Sequence, residues 1–322
     1  IVRLSLEHGN TKFSACGYVA HALVLSTGSE FAQARTFGTV AMELAQRFED
    51  PFIIPKVHNT YANFTNHWIN PLRTNVGIYE DSYRACLLSG DRWWGAWAVG
   101  WIRTAQWIAG ERVGEVLATQ ERYHGYIADS GYVPLIFMSN LDRAILLSLQ
   151  GRTDDRGTLS CDAEGVTEDR LVADFEGIGF GFGLYLHALY KAFLLYLYEE
   201  DEPCLELIER STGYRDLIPF AMPYADWWFI GALIWCRAIG QGRGDREELL
   251  GRVRANIHQM AAWTGNACAE NFAHRLRLMQ AELARVEGRH GDAESAYLEA
   301  IELAQRDGFL QAFVEDADYH LA

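Results

Sequence analysis

The chain has 322 residues, 49% of them hydrophobic and 22% charged, enough apolar surface for a large core and too much for a disordered chain. Its formal net charge of -15, with no basic run anywhere, argues against nucleic acid and anionic membrane as partners. Six cysteines, at 16, 86, 161, 204, 236 and 268, form no C-x-x-C pair and read as small buried hydrophobes of a reducing, cytoplasmic compartment.

No signal peptide is read, and the sequence opens at Ile1 in mid-pattern, so it reads as a piece of a longer polypeptide. From there apolar residues recur at helical spacing, and the seven prolines fall where helices would start or stop. The expected helices span 16–28, 31–48, 52–68, 71–89, 91–109, 111–129, 132–150, 170–199, 202–212, 225–240, 245–263, 267–287, 291–306 and 309–321. No alternating strand pattern occurs. The first pair shows a hairpin device: Gly28 in the turn, then Ala34 and Ala41 on the second helix, small residues where two helices cross closely. Residues 151–169 are polar, acidic and glycine-containing, and are expected to form a mobile loop between an N-terminal half (1–150) and a C-terminal half (170–322). The apolar run 178–198 carries His187 and Lys191, which favours a helix buried in a soluble array over a membrane span. Near the end, Ala281, Ala284, Gly288, Ala293, Tyr297 and Ala300 fit a tetratricopeptide-like unit. Hairpins starting roughly every 35–42 residues make the expected fold all-α, a superhelical solenoid of antiparallel helix hairpins.

Several of these segments carry a resemblance. SLEHGN (5–10), FGTVAMELAQRF (37–48), HWINPLR (67–73), SYRACLLSGD (82–91) and the repeat around Ala293 to Ala304 resemble a helical segment of large bacterial signalling proteins. In that family the segment follows a serine/threonine kinase-like domain and an AAA-type ATPase module. It precedes a GAF domain and often a histidine kinase. The resemblance implies a signal-coupling role with no active site in this region.

The chemical motifs read blandly. Gly177, Gly179, Gly181 and Gly183 lack the strand and the Gly-Lys-Ser/Thr of phosphate loops, and close helix packing explains them better. Asp154–Asp155 and Glu199–Glu202 lack the spacing that puts carboxylates on one helical face, as an all-α metal-dependent enzyme would need. No H-E-x-x-H, zinc spacing or G-x-S-x-G occurs, so no catalytic residue, metal ligand or cofactor is assigned. His67 reads as a buried structural histidine, with ligand binding as the alternative. Trp93, Trp97 and Trp101 share a helix face, flanked by Trp94 and Trp107, and Trp227, Trp228 and Trp235 form a second group. Such tryptophans are usually core, but in a concave groove they would anchor a peptide or an apolar molecule. Trp93, Trp94, Trp97, Trp101 and His67 are therefore the candidate binding residues.

The expectation is a non-catalytic regulatory or scaffold region that binds a protein or a neighbouring domain of its own chain. The alternative is a small-molecule sensor with an aromatic pocket. An all-α enzyme is the third reading.

Overall fold

A computed structural model describes residues 1–309, so all but the first residue of the helix expected over 309–321 lies outside the described residues. Helix makes up 77% of the structure, and no strand occurs among the described residues apart from an isolated bridge between Cys161 and Val166. The fold is all-α. In chain order the helices are α1 (Val2–His8), α2 (Ser14–Thr27), α3 (Phe31–Phe48) and α4 (Ile54–Tyr61), which runs through a π turn (Ala62–Asn66) into α5 (His67–Ile69). Then come α6 (Thr74–Ser89), α7 (Arg92–Ile108), α8 (Val113–Ser130), α9 (Val133–Leu149), α10 (Glu168–Gly177) and α11 (Gly181–Leu197). The series ends with α12 (Cys204–Thr212), α13 (Tyr224–Gly240), α14 (Arg246–Asn266), α15 (Ala273–Val286) and α16 (His290–Asp307).

Local chemistry accounts for most boundaries. Asp91, Thr167 and Asp245 accept the backbone N–H three residues on, the N-cap bond that starts α7, α10 and α14. Two differences from the sequence reading stand out. The short helix α1 was not expected. The single helix expected over 170–199 is two, because Gly179 takes a left-handed φ of 65° and turns the chain between α10 and α11. Only part of the glycine run serves close packing: a side chain on Gly183 would collide with the ring of Phe175, whereas Gly177 faces open space.

Helices adjacent in sequence pack against each other: α2 on α3, α6 on α7, α11 on α12, α13 on α14 and α15 on α16. In the last pair the small residues do the work expected of them, with Ala281, Ala284, Ala293 and Ala300 all buried. Tyr297 of α16 donates its hydroxyl to the buried Glu282 of α15, whose carboxylate also takes Arg285 at 2.6 Å. Buried ion pairs tie more distant helices. Arg275 of α15 meets Asp226 of α13 at 2.6 Å, and Tyr190 of α11 donates to the same carboxylate at 2.8 Å. Arg103 of α7 pairs with Asp142 of α9.

The chain also closes on itself. Trp68 is fully buried, with Phe31, Phe220, Trp263 and Phe272 around its ring at centroid distances of 5.1–5.4 Å. Its indole N–H donates to the carbonyl of Phe220 at 3.0 Å. Beside it, Asn271 accepts from the Leu72 backbone N–H (2.9 Å) and donates to the carbonyls of His67 (2.7 Å) and Asn70 (2.9 Å). Cys268 N–H adds a bond to the Trp68 carbonyl at 2.7 Å. These contacts span up to 204 residues of sequence, and one core runs from Ala15 to Ala300. No helix among the described residues is long and apolar enough to cross a membrane; α11, the apolar run, is instead enclosed by its neighbours.

The closure depends on one amide. Replacing Asn271 by Ala strands three backbone groups, and unpaired buried groups cost about 1–3 kcal/mol each. Asn271→Ala is expected to lower stability by about 3 kcal/mol and the melting temperature by roughly 10 °C. Chemical and thermal denaturation measure it, and a loss below about 1 kcal/mol would contradict this role.

Candidate functional site

The tryptophans of α7 form a ladder from core to water. Trp101 is 4% exposed, stacks on Trp97 at 5.8 Å and touches Phe182 of α11 at 6.2 Å. Trp97 is half-buried, and its indole N–H has no acceptor among the described residues. Trp93 is 43% exposed, edge-on to Trp94 at 4.6 Å and near Tyr132 at 5.9 Å. Trp93 follows the α6–α7 turn, and the α8–α9 turn lies alongside, with Arg92 donating to the Asp129 carbonyl at 3.1 Å. Leu88 and Val133 at these turns are also exposed, at 83% and 42%, so apolar side chains at both turns are open to solvent. In the second group, Trp227 and Trp235 are buried, and Arg215 lies over the rings of Trp227 and Trp228 at 4.5 and 5.1 Å.

His67 belongs elsewhere. It lies in the closure, packed on Trp68 at 5.0 Å and bonded through Nδ1 to the Ala62 carbonyl at 3.3 Å. That carbonyl lies in the π turn, where it also accepts from Asn75 at 2.8 Å. Among the described residues no ring contact or hydrogen bond joins His67 to the α7 tryptophans, so the five candidate residues do not converge on one site. Burial drives the His67 imidazole down to about 4, against the opposing pull of the Ala62 and Phe220 carbonyls.

A second site was not foreseen. A cleft of about 610 Å³ opens between α10, α11 and α12, roofed by residues 156–158. At its base the Glu168 carboxylate takes His187 Nε2 at 3.2 Å, Lys191 Nζ at 2.6 Å and the Leu159 backbone N–H at 3.0 Å. Burial alone would raise the Glu168 carboxyl, but the His187 and Lys191 hydrogen bonds outweigh it and hold it down at about 2. Lys191 also donates to the Gly157 carbonyl, and the Glu168 N–H donates to Ser160 Oγ at 3.0 Å. Asp154 accepts the Asp162 N–H with both oxygens. The 151–169 loop is thus pinned to α11 by paired charges.

The sequence held a signal for this. A His and a Lys four residues apart on an apolar helix share one face, and buried charge there calls for a carboxylate partner. The carboxylate is saturated and ionised, so it suits charge anchoring better than proton transfer. Among the described residues no group of three His, Cys, Asp or Glu side chains stands ready to hold a metal ion. Comparison with protein-family models finds no match to the sequence, and comparison with curated proteins finds none.

Both shifted groups act in the same direction below neutrality. His67 is depressed from 6.5 to about 4, so its contribution is complete above pH 6.5 and is lost as pH falls toward 4. Glu168 follows, its contribution complete above 4.5 and lost as pH falls toward 2. At about 1.4 kcal/mol per unit, the His67 share is on the order of 3 kcal/mol. The fold is expected to weaken steadily from pH 6.5 downward, and an NMR titration should place the His67 midpoint near 4. A midpoint near 6.5 would refute the buried reading.

Proposed function

We propose that this chain is a non-catalytic regulatory or scaffold region of a multidomain signalling protein. Its helix hairpins form a tetratricopeptide-like superhelix, wound tightly enough for the Trp68 segment to meet residues 218–272. The region binds a protein or a neighbouring domain of its own chain and relays that state to catalytic modules elsewhere in the polypeptide. The resemblance of HWINPLR (67–73) and its companion segments to such proteins supports this reading, as does the pairwise packing of successive helices. The observation that carries it is the exposure of Trp93. A large aromatic 43% open to water, standing on half-buried Trp97 and buried Trp101, with Leu88 and Val133 exposed at the same two turns, has the composition of an interface hot spot.

The tryptophans separate stability from binding. Trp101→Ala empties a packed core position and should cost about 3–5 kcal/mol. Trp93→Ala should melt within roughly 2 °C of the parent, since exposed substitutions cost little, and should weaken capture of the adjoining domains by at least about tenfold. Melting curves beside a binding assay with those domains decide it. Unchanged binding by the Trp93 variant would remove this face as the docking surface.

A further inference from the structure

We infer that the connection from α12 to α13 is a lid over Trp68, built to lift while the helix pairs around it stay folded. The inference does not rest on docking at Trp93. It starts from a strained backbone. Phe220 takes a φ of 63°. That left-handed region suits glycine and short polar side chains, and a bulky aromatic enters it only at a cost. Such strain persists only where neighbours impose it, and it gathers at clamps and switches.

The neighbours that impose it belong to the closure. The Phe220 ring packs on Trp68 and on Tyr224, both at 5.2 Å, and its carbonyl takes the Trp68 indole N–H at 3.0 Å. Two residues on, Met222 offers its sulfur, a weak acceptor, to the Asn75 amide at 3.0 Å. Pro219 is exposed and Phe220 half-buried, whereas Trp68 and Asn75 are fully buried. On this side one stretch of chain separates Trp68 from water.

The roots of the lid are held separately from its tip. Arg215 lies over Trp227 and Trp228, and Tyr185 of α11 donates to the Pro223 carbonyl at 3.1 Å. Between them the Leu217 N–H bonds to the Tyr214 carbonyl at 3.1 Å and the Ala221 N–H to the Ile218 carbonyl at 3.5 Å, local turns that can travel with the lid. What lies beneath keeps its own ties. Cys268 holds the Trp68 carbonyl, Asn271 holds the backbone of residues 67–72, and Phe31, Trp263 and Phe272 stay on the Trp68 ring. Asn75 keeps Ala62 and Asn66 as partners. Lifting residues 216–222 thus relaxes Phe220 and opens the Trp68 indole N–H to water without parting the ends of the chain.

That indole N–H is the reporter. Its hydrogen exchange in the full chain, followed by 1H–15N NMR, is compared with that of Trp235 Nε1, which is buried within α13. Exchange at Trp68 should be at least about tenfold faster. It should also be insensitive to urea up to about 1 M, as an opening that exposes little surface is, whereas exchange at Trp235 should rise with urea as global unfolding does. Met222→Leu keeps the volume and removes the sulfur acceptor. It should speed exchange at Trp68 by at least about threefold and leave Trp235 unchanged. A smaller ratio between the two indoles, a Trp68 rate that climbs with urea in step with Trp235, or a smaller gain in Met222→Leu would each overturn the lid.

Discussion

The packing of Trp68 and Asn271 is the constraint on which the rest of the structure depends. A chain of helix pairs can bury each helix against its neighbours and still leave its two ends independent. Here a fully buried indole, surrounded by rings from α3, the 218–223 segment, α14 and the start of α15, makes the ends one body. The aromatic network continues outward from it, through Trp263 to Tyr224 and Trp228. Asn271 does for this junction what a turn of secondary structure does elsewhere. It closes backbone groups of residues 67–72 that no helix satisfies.

Polar residues in this core are placed where helices from different parts of the chain must hold register. Asp226 binds α13 to α11 through Tyr190 and to α15 through Arg275, and Glu168 binds the 151–169 loop to α11. A paired buried charge is weak evidence for stability, because well-packed apolar residues can do as well, but an unpaired one is costly. These pairs therefore penalise misregistered packings more than they stabilise the native one. The same logic separates the two candidate surfaces. At Trp93 apolar side chains are open to solvent, and the α10–α12 cleft is lined by charged and aliphatic side chains together.

Helical class was legible because period and breaks agree: Ala34 and Ala41, or Ala293 and Ala300, sit seven apart and both members of each pair are buried. The boundary inside 170–199 was missed because the hydrophobicity runs on through Gly177 and Gly179, and only the backbone angle at Gly179 reveals the turn. Trp68 lay inside the most specific stretch of the family resemblance but was not singled out, since nothing local marks a residue whose hydrogen-bond partner Phe220 lies 152 positions away and whose ring neighbours Trp263 and Phe272 lie further still. The Glu168 cluster was hidden for a related reason. His187 and Lys191 were visible in the sequence, while their partner lies 19 and 23 residues upstream in a segment that read as loop. Periodicity reports on one element at a time, and both of these sites are made between elements.

The closure also sets an order of events during synthesis. Residues 67–75 leave the ribosome about 150–200 residues before the segments that cover them, and at 5–20 residues per second that is roughly 10–40 s of waiting. Throughout that interval the Trp68 indole has Phe31 beside it but lacks Phe220, Trp263 and Phe272, and the backbone groups of residues 67–72 lack Asn271. Closing a loop of this length costs about 2 kcal/mol more in chain entropy than closing one of 20 residues. Local hairpins can form early, but the final docking is a high-contact-order step and should be slow relative to them. A nascent chain halted at the 151–169 loop would present the apolar surface around Trp68 to chaperones rather than to its own C-terminal helices.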